Sequence, residues 1–233
     1  MFKEDGKMGM EPELIVMLTH HDRTVENAAE IFAACKNSKA KYWGFKEAPL
    51  PLEEMQSLYS AMRAAGKTTF LEVVAYTPDE CMAGAEMAVA CGCDVLMGTV
   101  FSDSVNALCQ SHGIRYMPFV GEISGRPSVL SGTLEGMIAE AEHYLARGVY
   151  GIDLLGYRYV GDAAALNKAF IAAVDAPVVL AGSINSRERL DEVKAAGPWA
   201  FTIGGAFFEN RFGETFCDQI DTVCDYMREG TSC

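Results

Sequence analysis

Short apolar, β-rich runs alternate along the chain with longer segments whose apolar residues recur at i, i+3, i+4 and i+7. The first pattern is that of strands and the second that of amphipathic helices. Candidate strands begin near Leu14 (LIVML), Tyr42 (YWGF), Thr69 (TFLEVVA), Asp94 (DVLMGT), Ile114 (IRYMPFV), Gly151 (GIDLLG), Pro177 (PVVLAG) and Trp199 (WAFTIGG). Between them, TVENAAEIFAACKN puts Val25, Ala28, Ile31, Phe32 and Cys35 on one helical face, with Thr24 and Asn27 available to cap its start. TLEGMIAEAEHYLARG repeats the pattern and stops at Gly148, and SRERLDEVKAAG opens on Ser186 as a cap and closes at Gly197. The last helix, ETFCDQIDTVCDYM, turns Phe216, Ile220, Val223 and Met227 to one side.

Runs such as PVVLA are apolar at every position, as a strand covered on both faces of a parallel sheet should be. Eight strand–helix units, with no block of other composition, predict one α/β domain over residues 1–233. The expected fold is a closed (β/α)8 barrel of eight parallel strands, with a short polar N-terminal extension over residues 1–12. An open, doubly wound sheet is the alternative, but the eightfold regularity favours closure.

The length of 233 residues fits a single barrel domain. A formal net charge of −13 argues against nucleic acid or an anionic membrane as the main partner, because both demand a basic face. It leaves room for a small anion held locally by backbone N–H groups. No apolar run approaches the ~20 residues of a membrane helix. The opening MFKEDGKMGMEPE is not followed by a signal-peptide core, so a cytoplasmic protein is expected. The eight cysteines are scattered, and the one close pair, Cys91 and Cys93, lacks CxxC spacing. Buried thiols in a reducing compartment are expected. Assembly into a homo-oligomer is left open.

In such barrels chemistry gathers at the C-terminal ends of the strands. Strand 1 delivers His20, His21 and Asp22, strand 2 Lys46 and Glu47, strand 3 Glu72, and strand 6 Asp153 followed by Arg158. Strand 5 runs into a long loop, ISGRPSVLSG, a candidate lid carrying Arg126. Strands 7 and 8 end in Gly182-Ser183 and Gly204-Gly205. Each glycine pair alone would suit a tight turn. Two of them on neighbouring strands predict a rim of bare N–H groups, with a short helix after Gly205, converging on one phosphate.

Side-chain alternation allows Lys46 to point into the barrel mouth, with Glu72 and Asp153 as partners from strands 3 and 6. A buried charge should be paired or functional. Lys46 could move a proton beside a carbonyl, or form a Schiff base if desolvated, with Glu72 and Asp153 sharing the acid–base work. A purely structural ion pair is the alternative. His20 and Arg158 join the glycine rim as candidate substrate-binding residues, and Arg126 is a further possible anion contact or a solvated side chain. A metal centre would need His20 or His21 plus carboxylates, and the HHD run alone does not make one. Neither a metal nor an organic cofactor is expected.

The final third, PVVLAGSINSRERLDEVKAAGPWAFTIGGAFFE, resembles the ribulose-phosphate-binding barrels, a superfamily of phosphosugar isomerases, epimerases and synthases. The matching residues are Gly182, Ser183, Gly197, Gly204, Gly205 and Ala206. The resemblance implies a phosphorylated, sugar-like substrate held at that end. The first two-thirds match in rhythm only. They lack the metal-binding His and Asp residues of the pentose-phosphate epimerases, and the strand-1 Asp of the histidine-pathway isomerases is not matched, since Asp22 lies past that strand. The N-acylmannosamine-6-phosphate epimerases use an early-strand Lys with a later carboxylate, which is similar to Lys46 with its partners. The expectation is therefore an enzyme acting on a small phosphorylated metabolite, foremost an epimerase or isomerase working by proton transfer. An aldolase- or decarboxylase-type lyase using Lys46 stands second, and a non-catalytic phosphometabolite-binding barrel third.

Overall fold

A computed structural model describes residues 11–229. Eight parallel strands form the sheet: β1 (Glu13–Met17), β2 (Tyr42–Lys46), β3 (Thr68–Val73), β4 (Val95–Gly98), β5 (Arg115–Met117), β6 (Ile152–Leu154), β7 (Val178–Leu180) and β8 (Ala200–Ile203). They pair in ring order 6-7-8-1-2-3-4-5, with β8 and β1 in register from Glu13↔Ala200 to Val16↔Ile203. The remaining seam, β5 to β6, is closed by a single bridge, Phe119↔Asp153, and by hydrogen bonds from Tyr150 N to Tyr116 O (2.9 Å) and Asp153 N to Pro118 O (3.0 Å). The result is the expected (β/α)8 barrel, and each strand starts within one residue of its sequence-based position. Most of the polar N-terminal extension, residues 1–10, lies outside the described residues.

Around the sheet run α1 (Ala28–Cys35), α2 (Leu52–Ala64), α3 (Pro78–Cys91), α4 (Asp103–Ser111), α5 (Leu134–Leu145), α6 (Ala163–Ala173), α7 (Arg187–Ala196), the one-turn α8 (Gly205–Phe208) and α9 (Phe216–Arg228). Alternation sorts the strand residues into two cores. Ile15, Met17, Phe70, Met97, Met117 and Val179 fill the barrel interior. Their sequence neighbours, such as Val16, Leu71, Leu96 and Leu180, face the helices. Each such side chain contributes about 1.5–3 kcal/mol by leaving water, which explains why both faces of these strands are apolar. Trp199 plugs the barrel bottom against Tyr42, Phe70 and Tyr150, whereas Trp43 packs outward, edge-on to Phe32 of α1.

Caps follow the sequence at α7, where Ser186 Oγ accepts from Arg189 N (3.3 Å) and Gly197 takes the left-handed conformation (φ 65°). At α1 they do not. The helix begins at Ala28 with Asn27 in the cap position but making no side-chain bond, and Thr24 is drawn away into a small hairpin. The expected lid loop after β5 is likewise a hairpin, Glu122–Ser124 paired with Val129–Ser131, its main-chain groups satisfied by one another.

The cysteine expectation needs one correction. Cys35 of α1 and Cys217 of α9 form a disulfide, whereas Cys81, Cys91, Cys93, Cys109 and Cys224 are buried free thiols. Burial pushes Cys91 to about 11 and Cys109 to about 12, so these thiols are poor nucleophiles near neutrality. Among the described residues no helix is long and apolar enough to cross a membrane.

Candidate active site

A cavity of about 640 Å³ opens at the C-terminal mouth of the barrel. His20, Lys46, Glu72, Arg158, Gly182 and Ser183 are on its wall, as are Gly204 and Gly205. One expected catalytic residue is not: Asp153 is fully buried beneath the floor.

The register Lys46↔Glu72 places both residues at the same level of neighbouring strands, and both are about 8% exposed. Lys46 Nζ lies 3.4 Å from Glu72 Oε1 and hydrogen-bonds Asp22 Oδ1. Asp22 was not among the expected site residues. It gets there through the short hairpin Thr19–His20 and Arg23–Thr24, whose two turn residues, His21 and Asp22, are both left-handed (φ 49° and 64°). That is a two-residue turn of the type hairpins favour, and Asp tolerates it. The hairpin is tied to β2 by Thr24 Oγ1, which donates to Lys46 O (2.7 Å) and accepts from Lys46 N (2.9 Å). The signal was legible only as a short polar run after a strand.

Two carboxylates on one lysine make physical sense. At an effective dielectric of about 20, one pair at this separation attracts on the order of 5 kcal/mol, while removing each ion from water costs several. Burial pulls the Lys46 pKa down. Glu72, then Asp22 by hydrogen bond and charge, then Glu47 more than reverse this, so Lys46 is held above the ordinary lysine value and is a firm ammonium.

Asp153 is the opposite case. Neither carboxyl oxygen makes a hydrogen bond of good geometry among the described residues, the backbone N–H of Gly98 offering only a weak one. Burial first, and the Glu72 charge second, push its pKa far above the usual carboxylate range, against the opposing pull of Lys46. Its protonated form is therefore favoured well beyond the range in which an ordinary aspartate ionises. The cluster thus sets the Lys46 ammonium against Asp22 and Glu72, with Asp153 buried beneath them.

Across the mouth, Gly182 (φ 93°) and Ser183 (φ 47°) turn the chain after β7. A Cβ at Gly182 would come within 2.7 Å of Arg158 Cγ, so the bare backbone lets the arginine stem lie over it. Gly204 is equally confined, since a Cβ there would meet Thr19 Oγ1 at 2.6 Å and Thr19 O at 2.8 Å. Gly205 is open, with only His20 Cδ2 at 3.6 Å. His20 stacks on Phe208 and lies tilted against His21, and its Nε2 lies 3.9 Å from Glu209 Oε1 without a hydrogen bond. His112 and His143 are exposed on the surface, away from this cavity. Among the described residues, no group of three or more His, Cys, Asp or Glu side chains is arranged to hold a metal.

The (β/α)8 fold is shared, over nearly the whole chain, with several solved barrels. Similar solved structures include the orotidine 5′-phosphate decarboxylase of Pyrococcus horikoshii OT3, with a TM-score of 0.67 over 92% of this chain and 99% of that one, at 16% identity. The N-acetylmannosamine-6-phosphate 2-epimerase of Clostridium perfringens gives 0.61 over 83% and 86%, also at 16% identity. The N-(5′-phosphoribosyl)anthranilate isomerase of Pyrococcus furiosus gives 0.65 over 93% and 98%, at 11% identity. No protein-family model and no curated protein matches the chain.

Proposed function

We propose that the protein is an enzyme acting on a small phosphorylated, sugar-like metabolite, and that it epimerises or isomerises it by moving a proton beside a carbonyl. The observation that carries this reading is the Asp22–Lys46–Glu72 cluster, set on one side of a cavity whose other side is the glycine rim. The similar folds include an epimerase and an isomerase of phosphorylated compounds.

The phosphate binds at Gly182-Ser183 and Gly204-Gly205, with Arg158 beside it and His20 at the edge. This directs the carbon chain toward β2 and β3. There Glu72, a carboxylate without a second lysine to satisfy it, takes the proton next to the carbonyl. The Lys46 ammonium faces the oxygen on which negative charge develops, where it is worth more than in water because the site is largely dry. Asp153 stays below the reacting atoms, its burial favouring the protonated carboxyl.

A lyase reading remains second, and one observation bears on its form. A lysine held as an ammonium by two carboxylates is unsuited to attack a carbonyl, so Lys46 would serve as proton donor to a carbanion and not as a Schiff-base amine. The test is to incubate the protein in D2O with a panel of ketose, aldose and N-acylhexosamine phosphates and follow the substrate C–H signals by proton NMR. Washout of the hydrogen beside the carbonyl, lost in Lys46→Met, is the expected result. Carbon–carbon cleavage without washout, or a borohydride-trapped adduct on Lys46, would overturn it in favour of a lyase.

A further inference from the structure

The chain carries a net charge of −13, yet the cavity at the barrel mouth collects guanidinium groups. Arg23, Arg126 and Arg158 all line it. Its carboxylates do not neutralise them: Asp22 and Glu72 are engaged by Lys46, and Glu209 lies beside Arg211 at 3.0 Å. Neither Arg126 nor Arg158 has an ion-pair partner within 4 Å among the described residues; Glu80 at the start of α3 feels the Arg126 charge but is hydrogen-bonded to its own cap, Thr77. A single phosphate at the glycine rim accounts for Arg158, whose stem lies over Gly182. It does not account for Arg126.

Arg126 comes from the hairpin after β5, but that hairpin leans across the mouth to the segment following β3. Arg126 Nη2 donates to Val74 O (2.8 Å), and Tyr76 Oη hydrogen-bonds both Gly125 O (3.0 Å) and Ser128 Oγ (2.8 Å). In the ring of eight strands, β3 stands opposite β7. Arg126 is thus fixed on the far side of the cavity from the glycine rim, on the side of the strand that supplies Glu72. One donor is spent on Val74, which orients the guanidinium, and the others remain for a ligand. An arginine anchored by its own hydrogen bond is a preorganised anion contact.

Building on the phosphate site proposed above, we infer that the substrate carries a second anionic group, a carboxylate or a second phosphate, at the end away from the rim phosphate, and that Arg126 binds it. The two anions then hold the intervening carbons over Lys46 and Glu72, which explains how a shallow mouth fixes one carbon for proton transfer. A neutral sugar monophosphate, lacking that group, would be held at one end only.

The experiment is direct binding by calorimetry to wild type, Arg126→Gln and Gly205→Glu. The probes are inorganic phosphate, glucose 6-phosphate, 6-phosphogluconate and fructose 1,6-bisphosphate, of which the second and third share a carbon skeleton and differ by one carboxylate. Wild type should bind 6-phosphogluconate or the bisphosphate roughly tenfold or more tightly than glucose 6-phosphate, the usual worth of a charge-assisted contact. Arg126→Gln should erase that preference while leaving inorganic phosphate unchanged. Which of the two dianionic probes gains distinguishes carboxylate from phosphate. Equal binding of all the sugar phosphates, with phosphate binding intact and lost in Gly205→Glu, would overturn the second-anion inference alone. Failure of every phosphorylated probe would overturn the phosphate site beneath it.

Discussion

Replacing Asp153 by Asn tests the most unusual feature of the site, a carboxyl group with no exposed surface and no hydrogen bond of good geometry to either oxygen among the described residues. The variant keeps the shape and removes the titration. In the unfolded chain an aspartate releases its proton near pH 4, whereas burial and the Glu72 charge make the native protein hold it far above that. The native state therefore binds one proton more than the unfolded state across that window. This contribution to stability is complete below about pH 4 and is lost as pH rises toward the native pKa, by about 1.4 kcal/mol per pH unit. Asp153→Asn lacks the slope but leaves its amide hydrogens without acceptors, at a cost of about 1–3 kcal/mol that does not depend on pH. Urea unfolding of both proteins between pH 5 and pH 7 should show the variant gaining on wild type as pH rises, by up to about 1.4 kcal/mol per pH unit for as long as the native protein holds the proton. Comparing the two proteins at each pH cancels the groups remote from Asp153, which titrate alike in both. A stability difference flat with pH would mean that Asp153 is ionised in the native protein, and the proton assigned to it would have to be withdrawn.

Glu72→Gln should lower turnover by about 10²–10⁴-fold with little change in melting temperature, because Lys46 keeps Asp22 as a partner; a lower melting temperature with near-normal turnover would make the pair structural. Gly204 and Gly205 should separate fold from binding. Gly204→Ala forces a Cβ against Thr19 and should lower the melting temperature, whereas Gly205→Ala has room and should fold normally. Gly205→Glu should fold as well but lose phosphate binding, and retained phosphate affinity in that variant would move the anion away from the rim.

The barrel was legible because its information is periodic and local. PVVLA is apolar at every position since β7 is covered by the interior core on one side and by helices on the other, and a window of five residues suffices to see that. Lys46 and Glu72 were legible for the same reason, as charges interrupting strands that have no room for an unpaired one. What escaped was set by pairing across distance or by turn chemistry. Asp22 meets Lys46 only because two consecutive left-handed residues reverse the chain, a conformation that His21 does not announce. The stretch ISGRPSVLSG has no strand alternation strong enough to signal that it pairs with itself. Cys35 and Cys217 are 182 positions apart, and nothing short of the closed ring brings them together. Asp153 was placed on the right strand, but its depth below the cavity floor follows from where the loops above it settle.

That ring has an uneven rim of bonds. Where the first and last units meet, β1 and β8 share four registered pairs, and a covalent link joins α1 to α9. Midway along the sequence, Pro118 supplies no N–H, and β5 and β6 are laced by one bridge and two hydrogen bonds. The protein resembles a hoop riveted at its ends and hooked together at its middle. Its amides at Tyr150 and Asp153 are expected to exchange with solvent before those of Leu14 to Val16, the reverse of a chain that frays from its termini.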